Sequence, residues 1–257
     1  LMSDVPLGAF LSGGIDSPLI CRYAQKNITS PLKTFTIGSD SQVHDETDMA
    51  ALFARELNSD ATFERMNSRS AATVLEAAMG TLNEPFADLS IIPTYLVCNL
   101  ARRQVTVALS GDGGDELFYG YERFFSIGKN LKFQPLPYGL RYLIYGLDRT
   151  FFNAQNVNSA LLASSQGLAH QNLHSRISEP QFRSVAPDLI YDKHFLAPEY
   201  GYENECDQER LIQRMRVSEF YDMMQKTLRK VDSASMGNSL EVRVPFLHKE
   251  FIEASLN

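Results

Sequence analysis

The sequence predicts an α/β fold: a doubly wound parallel sheet with a helical C-terminal part. Three observations point there. Two uniformly apolar runs, Val5–Leu11 and Val105–Leu109, each end in a glycine-rich polar turn. Apolar residues at helical spacing fill the chain between the extended runs. The chain has 257 residues, 44% of them hydrophobic and 21% charged, which is ordinary globular usage and enough for one large α/β domain.

Taken in order, Val5–Leu11 reads as a strand buried on both faces, because it is apolar throughout rather than alternating. Leu32–Ile37 follows, with Thr34, Phe35, Thr36 and Ile37 favouring extended backbone. Met49, Leu52, Phe53 and Leu57 then recur at helical spacing, and Asp45 and Glu46 stand where negative charge suits a helix N-terminus. Ala61–Arg65 is a further strand, and Val74, Leu75, Ala78, Met79 and Leu82 mark the next helix. Ile92, Tyr95, Leu96 and Leu100 mark another, with Ser90 as its expected N-cap and Pro93 tolerated in the first turn. Val105–Leu109 completes the strands. Alternation of this kind implies right-handed βαβ units.

From Phe124 the pattern loosens, and Phe124–Gln208 reads as helices joined by irregular connections. Val217, Phe220, Tyr221, Met224 and Leu228 form a last long helical pattern, which leads into Lys230–Phe246. The expected organisation is a nucleotide-binding α/β core over 1–124, a variable helical region over 125–210, and a helical segment over 211–257 that closes the site.

Composition excludes several classes. With 24 Lys+Arg against 31 Asp+Glu, the net charge of −7 argues against nucleic acid as the main partner. No run approaches the roughly 18 apolar residues of a membrane span. Cys21, Cys98 and Cys206 are an odd set with no CxxC pair, which fits a reducing, cytoplasmic setting and gives neither a disulfide framework nor a zinc site. The five histidines, His44, His170, His174, His194 and His248, are read as showing no HxxxH or HExxH spacing, so no metal site is expected from them. Because the chain starts at Leu1 and stops inside a helical pattern, it is read as a piece of a longer polypeptide.

The two turns carry the chemistry. In Ser12-Gly13-Gly14-Ile15-Asp16-Ser17 the glycines allow close backbone approach, the hydroxyls can donate to anionic oxygens, and Asp16 is placed to hold a cation. The loop lacks a lysine and does not match GxxxxGK[ST]. Ser110-Gly111-Asp112-Gly113-Gly114-Asp115-Glu116 crowds three carboxylates beside glycines, which is costly unless a cation or a base role compensates. Asp16 with Asp115 would suit Mg²⁺, which takes one or two carboxylates plus phosphate oxygens. The competing readings are a serine-capped strand-to-helix turn for the first and an acidic solvated loop for the second.

SGGIDS resembles the PP-loop of ATP pyrophosphatases, which split ATP between the α- and β-phosphates. LSGDGGDELFYGYERF (109–124), NEPFADLSIIPTY (83–95) and KVDSASMGNSLEVRVPFL (230–247) resemble the synthetase domain of glutamine-hydrolysing asparagine synthetases. The likeness implies an adenine nucleotide α-hydrolase-like, Rossmann-like fold. It implies that Leu11 and Ile37 contact adenosine, that Ser110 and Gly111 border the nucleotide, and that Ser12, Gly13, Gly14, Asp16 and Ser17 cradle pyrophosphate. Asp16 and Asp115 would bind Mg²⁺, with Asp112 and Lys230 catalytic. ATP and Mg²⁺ are the implied cofactors, aspartate or a related carboxylate and ammonia the implied substrates. A glutaminase domain N-terminal to this segment is the implied partner; a homodimer is left open.

The implied activity is adenylation of a carboxylate with release of pyrophosphate, then amidation by ammonia. Two departures bear on the acceptor: many members have Arg where this chain has Ser233, and Asp where it has His248. They keep open the same chemistry on a sugar acid, a peptide or a lactam-forming substrate; an ATP-binding module without turnover is the third reading. Glu241 and Arg243 are expected to form an internal ion pair. Tyr119 and Tyr121 either reach the acceptor or pack a helix start, and the Met223–Met224 pair is expected in the core.

Overall fold

The computed structural model describes residues 3–40, 45–84, 86, 88–128, 133, 135–152, 159–163, 165–174, 184–188 and 207–256. His44, His194 and Cys206 lie outside these. The chain divides into two compact units, one made of Leu1–Phe118 with Met224–Asn257 and the other of Tyr119–Met223.

In the first unit β1 (Leu7–Phe10), α1 (Asp16–Gln25), β2 (Lys33–Ser39), α2 (Thr47–Leu57) and β3 (Asp60–Met66) form two successive βαβ steps. Then α3 (Ser68–Gly80) and α4 (Ile91–Arg102) carry the chain back to β4 (Val107–Leu109) on the other side of β1. The sheet has five strands in the order β3-β2-β1-β4-β5, and all its pairings are parallel. Chain direction across the sheet therefore reverses between β1 and β4, the place where open α/β sheets bind ligands.

Both faces are covered, as the apolar runs require. On one face Ala9, Leu11 and Leu109 pack with Cys21, Ala24, Ala50 and Ala54 of α1 and α2. On the other, Phe35 and Ala108 pack with Ile91, Cys98, Leu100 and Ala101 of α4. Ala234 and Leu240 join this second cluster, so the C-terminal part of the chain helps to cover the sheet.

Two local differences from the sequence reading have clear causes. The segment over 211–257 contains a strand, β5 (Glu241–Arg243), paired with β4 from Val107↔Glu241 to Leu109↔Arg243. Its mixed composition hid it, because a short edge strand is half solvated. Ser90 precedes α4 but does not cap it with its side chain. Its hydroxyl instead donates to Asp88 Oδ1 at 2.6 Å, and Asp88 also accepts the Ser90 N–H at 3.0 Å. The amides a cap would serve are not free for it: the Ile92 N–H donates to Leu89 O at 3.1 Å and Pro93 has no N–H.

The second unit contains α6 (Arg123–Gly128), α7 (Tyr138–Phe151), α8 (Gln166–His174) and the first part of α9 (Gln208–Met236); α5 (Gly114–Phe118) and the rest of α9 belong to the first, as does α10 (Lys249–Leu256). Phe124, Ile127, Ala163, Ala169, Leu211 and Met215 form the second unit's core. Buried Arg141 donates from Nη1 to the carbonyls of Leu161 and Ala163, both at 2.9 Å, while its Nε has no hydrogen-bond partner among the described residues. Tyr119 packs edge-on against Phe124 and Tyr121 stacks on the same ring, so both tyrosines pack a helix start. Met224 is buried, as expected. Among the described residues no helix is long and apolar enough to cross a membrane.

Candidate functional site

The first turn leaves β1 and enters α1 without a side-chain cap on Ile15. Several of its polar groups bond within the loop: Ser17 Oγ accepts the Ser12 N–H at 2.8 Å and lies 2.9 Å from Ser12 Oγ, which in turn accepts the Gly14 N–H at 3.3 Å. The Gly13 N–H donates to Glu46 Oε2 at 3.0 Å. Leu11 is anchored by its backbone, its N–H to Phe35 O at 3.0 Å and its carbonyl accepting from Thr36 Oγ1 at 2.7 Å. Its side chain is buried in the core, so it offers no apolar surface to a ligand.

The second turn leaves β4, the neighbour of β1, in the register Ala9↔Leu109. Ser110 donates its N–H to Arg243 O at 2.9 Å, tying the turn to β5, and its hydroxyl hydrogen-bonds Asp112 Oδ2. Gly113 has φ of +93°, a left-handed conformation that glycine adopts without a Cβ penalty. Gly114 then opens α5, which places Asp115 and buried Glu116 in its first turn.

The two turns touch. A Cβ on Gly111 would stand 2.8 Å from the Ser17 nitrogen, and one on Gly114 would fall on the Asp16 carboxylate. Asp16 therefore lies against the start of α5, next to Asp115. Burial raises the Asp16 carboxyl above its ordinary range, and the charge of Asp115 raises it further. Asp16 is half-buried and Asp115 exposed, and two neighbouring carboxylates of this kind are a donor set for a hard divalent cation, which would relieve their repulsion. The glycine-lined approach beside them fits a polyphosphate; Mg²⁺ and a nucleotide tail suit the residues present.

Ile37 stands on β2, one residue beyond Thr36, at the same carboxyl end of the sheet. Lys230, on α9, has Asp88 for an electrostatic neighbour, and Lys226 pairs with the same carboxylate at 3.2 Å. Burial would raise Asp88, but the Ser90 hydroxyl and N–H and the two lysine charges outweigh it and hold the carboxyl at about 2. The sequence reading did not single out Asp88, although it lies in one of the family-like segments. Glu241 and Arg243 form the expected ion pair at 2.6 Å.

One cluster was missed altogether. His170 and His174 are four apart, an HxxxH spacing on α8, and both rings approach Glu219 Oε1, at 2.8 and 3.0 Å. Arg123 clasps the same carboxylate from the other side at 2.5 and 2.7 Å. Burial would raise Glu219, yet the hydrogen bonds from Arg123, His170 and His174 hold it well below the carboxylate range. Burial pushes His170 down despite Glu219, with His174 and Arg123 adding to the effect, so its neutral ring donates Nε2–H. His170, His174 and Glu219 lie close enough together to hold a metal ion, but His170 hydrogen-bonds the carboxylate directly and the guanidinium already neutralises it. This is a structural charge network of the second unit.

A five-stranded parallel sheet with two abutting glycine-acid turns at its switch point defines an α/β domain of the PP-loop type. Comparison with known sequences agrees: the profile of the asparagine synthase family matches residues 1–257, and the chain belongs to that family. It is 33% identical to asparagine synthetase [glutamine-hydrolyzing] 1 of Bacillus subtilis (strain 168), over 97% of this chain and 40% of that protein. It is 31% identical to the asparagine synthetase [glutamine-hydrolyzing] of Bos taurus, over 48% of this chain and 23% of that one. The amidase chyE of Penicillium rubens is 30% identical over 48% of this chain and 21% of its own length. The chain thus spans about 40% of the length of the first of these relatives.

Proposed function

We propose that the protein is the synthetase part of an ATP-dependent amide-forming ligase that activates a carboxylate, aspartate in the leading reading, as an acyl-adenylate and amidates it with ammonia. The observation that carries this is the contact between the turns, Asp16 lying against Gly114 with Asp115 beside it.

A carboxylate resists amidation because its leaving group would be oxide. Attack of one carboxylate oxygen on the α-phosphorus of ATP forms a C–O–P linkage and breaks the bond to pyrophosphate, so AMP replaces oxide as leaving group. Ammonia then adds at the carbonyl carbon, AMP departs, and the nitrogen loses a proton to give the amide. In this scheme Asp16 and Asp115 hold Mg²⁺, which when bound offsets charge on the phosphate oxygens. Ser12, Gly13, Gly14, Asp16 and Ser17 cradle the pyrophosphate, supplying backbone N–H and hydroxyl donors where its charge grows. Leu11 and Ile37 border the adenosine, Leu11 through its backbone, and Ser110 with Gly111 line the nucleotide.

Asp112 is oriented by the Ser110 hydroxyl and is proposed to act in forming the acyl-adenylate. Lys230 is proposed to meet the phosphate charge, with Asp88 setting its direction. All these residues lie in the unit of Leu1–Phe118 and Met224–Asn257. Glutamine hydrolysis, which both asparagine synthetases above carry in their names, is the proposed ammonia source in the whole protein. Ser233 and His248 favour a second reading in which another carboxylate is the acceptor.

The test is to supply ATP, aspartate and ammonium and to follow AMP, pyrophosphate and asparagine. Stoichiometric appearance of all three is expected. Release of ADP and phosphate would contradict cleavage between the α- and β-phosphates; turnover with another acid only would move the acceptor.

A further inference from the structure

In the first turn the Ser12 and Gly14 N–H groups are bonded within the turn, whereas the Gly13 N–H is bonded outside it. The Gly13 N–H is bonded to Glu46, 33 residues away, through a carboxylate oxygen at 3.0 Å. A backbone amide in a glycine turn, facing a carboxylate oxygen, has the environment that a phosphate oxygen would provide.

The placement of Glu46 is over-determined. Its Cβ and carbonyl, with the Cβ of Met49, occupy the space a Gly13 side chain would need, at 2.9, 3.1 and 3.0 Å, so the start of α2 lies flush on the loop. The residue before it is fixed from several sides: Asp45 accepts the Ser39 N–H at 3.3 Å and the Thr47 N–H at 3.1 Å, and pairs with Arg65 at 2.6 Å. Those hydrogen bonds, led by the Thr47 hydroxyl, hold the Asp45 carboxyl well below its usual range, so this anchor stays charged.

We propose that Glu46 is a built-in anion for the phosphate turn: its carboxylate holds the Gly13 amide in the free protein and yields it to a phosphate oxygen when the pyrophosphate tail of ATP binds. This rests on the nucleotide reading of the site given above. The contact keeps the turn's donor oriented before the ligand arrives, and binding must then displace a charge-assisted hydrogen bond and tolerate a carboxylate close to the incoming anion. Glu46 accordingly lowers affinity for pyrophosphate and makes the site favour a tail whose charge is already offset by a divalent cation.

The test uses Glu46→Gln, which keeps an acceptor for Gly13 but removes the charge, and Asp48→Asn, which removes an exposed carboxylate from the same first turn of α2. The probe is inorganic pyrophosphate, titrated calorimetrically with and without Mg²⁺. Glu46→Gln is expected to bind about three- to tenfold tighter, with the larger gain in the absence of Mg²⁺, and Asp48→Asn to stay within about twofold of wild type. With glycine-selective nitrogen-15 labelling, the Gly13 amide resonance should differ between free wild type and free Glu46→Gln and converge when both are saturated. Wild-type binding with no gain in Glu46→Gln, or an equal gain in Asp48→Asn, overturns the displacement while leaving the nucleotide reading intact. No pyrophosphate binding by either wild type or Glu46→Gln overturns both.

Discussion

Replacing Gly111 with alanine probes the contact between the two glycine turns most directly. The new Cβ would stand 2.8 Å from the Ser17 nitrogen and 3.1 Å from both the Asp16 carbonyl carbon and the Ser17 Cα. All three atoms are backbone at the start of α1, so no side-chain rotation relieves the overlap and the turns must part. Overpacking of this kind costs about 1–3 kcal/mol. Loss of unfolded-chain freedom on changing glycine to alanine returns about 0.4–1 kcal/mol, which leaves a net loss of about 1–2 kcal/mol.

For a chain of this size that lowers the melting temperature by about 2–8 °C. Separation of Asp16 from Asp115 should also weaken binding of Mg²⁺-pyrophosphate by about tenfold or more, because the donor set loses its geometry. Gly14→Ala is the control, since a Cβ there meets Ser12 Oγ at an ordinary 3.5 Å; with the same gain from the unfolded chain and no overlap, its melting temperature should lie at or about 1–4 °C above the wild-type value. Thermal melts by circular dichroism and calorimetric titration read both effects. A Gly111→Ala protein that melts and binds like wild type would refute the claim that the turns abut.

Other outcomes follow from the charge networks. Glu219→Ala leaves Arg123 in a buried site without its counter-charge and should cost about 3–5 kcal/mol, read by denaturant unfolding. His170 is held neutral, with its folded pKa below the unfolded one, so its contribution is complete above about pH 6.5 and falls as pH drops below that; His170→Gln should flatten this part of the stability profile. Asp88, held at about 2, contributes stability that is present above the unfolded carboxyl value and is lost as pH falls toward 2. After allowance for its partial exposure, Asp88→Asn should remove about 1 kcal/mol at neutral pH and nothing near pH 2. Cys21 and Cys98 are buried, and burial pushes both thiols up to about 12; neither should react with a thiol reagent at pH 8 until the protein unfolds.

Local chemistry was legible in the linear chain. Uniformly apolar runs at Val5–Leu11 and Val105–Leu109 read as strands covered on both faces, and the glycines with serines and aspartates after them read as turns that expose backbone donors. The structure places those turns together at the carboxyl ends of β1 and β4, as the α/β alternation implied. What the chain order could not reveal depends on contacts across long separations. β5 exists because β4 offers it an edge, not because Glu241–Arg243 has strong strand propensity. Glu46 reaches Gly13 across 33 residues, and Arg123 reaches Glu219 across 96.

The His170–His174 spacing was visible, but which acid both rings would face was not. Asp88 reads as one more aspartate until α9 brings Lys226 and Lys230 beside it. Propensity, periodicity and turn chemistry act over a few residues, so sequence alone determined β1 to β4, α2 to α4, the course of α9 and the two loops. Charge pairing and close packing act through space, so only the tertiary structure decided which carboxylate faces which donor.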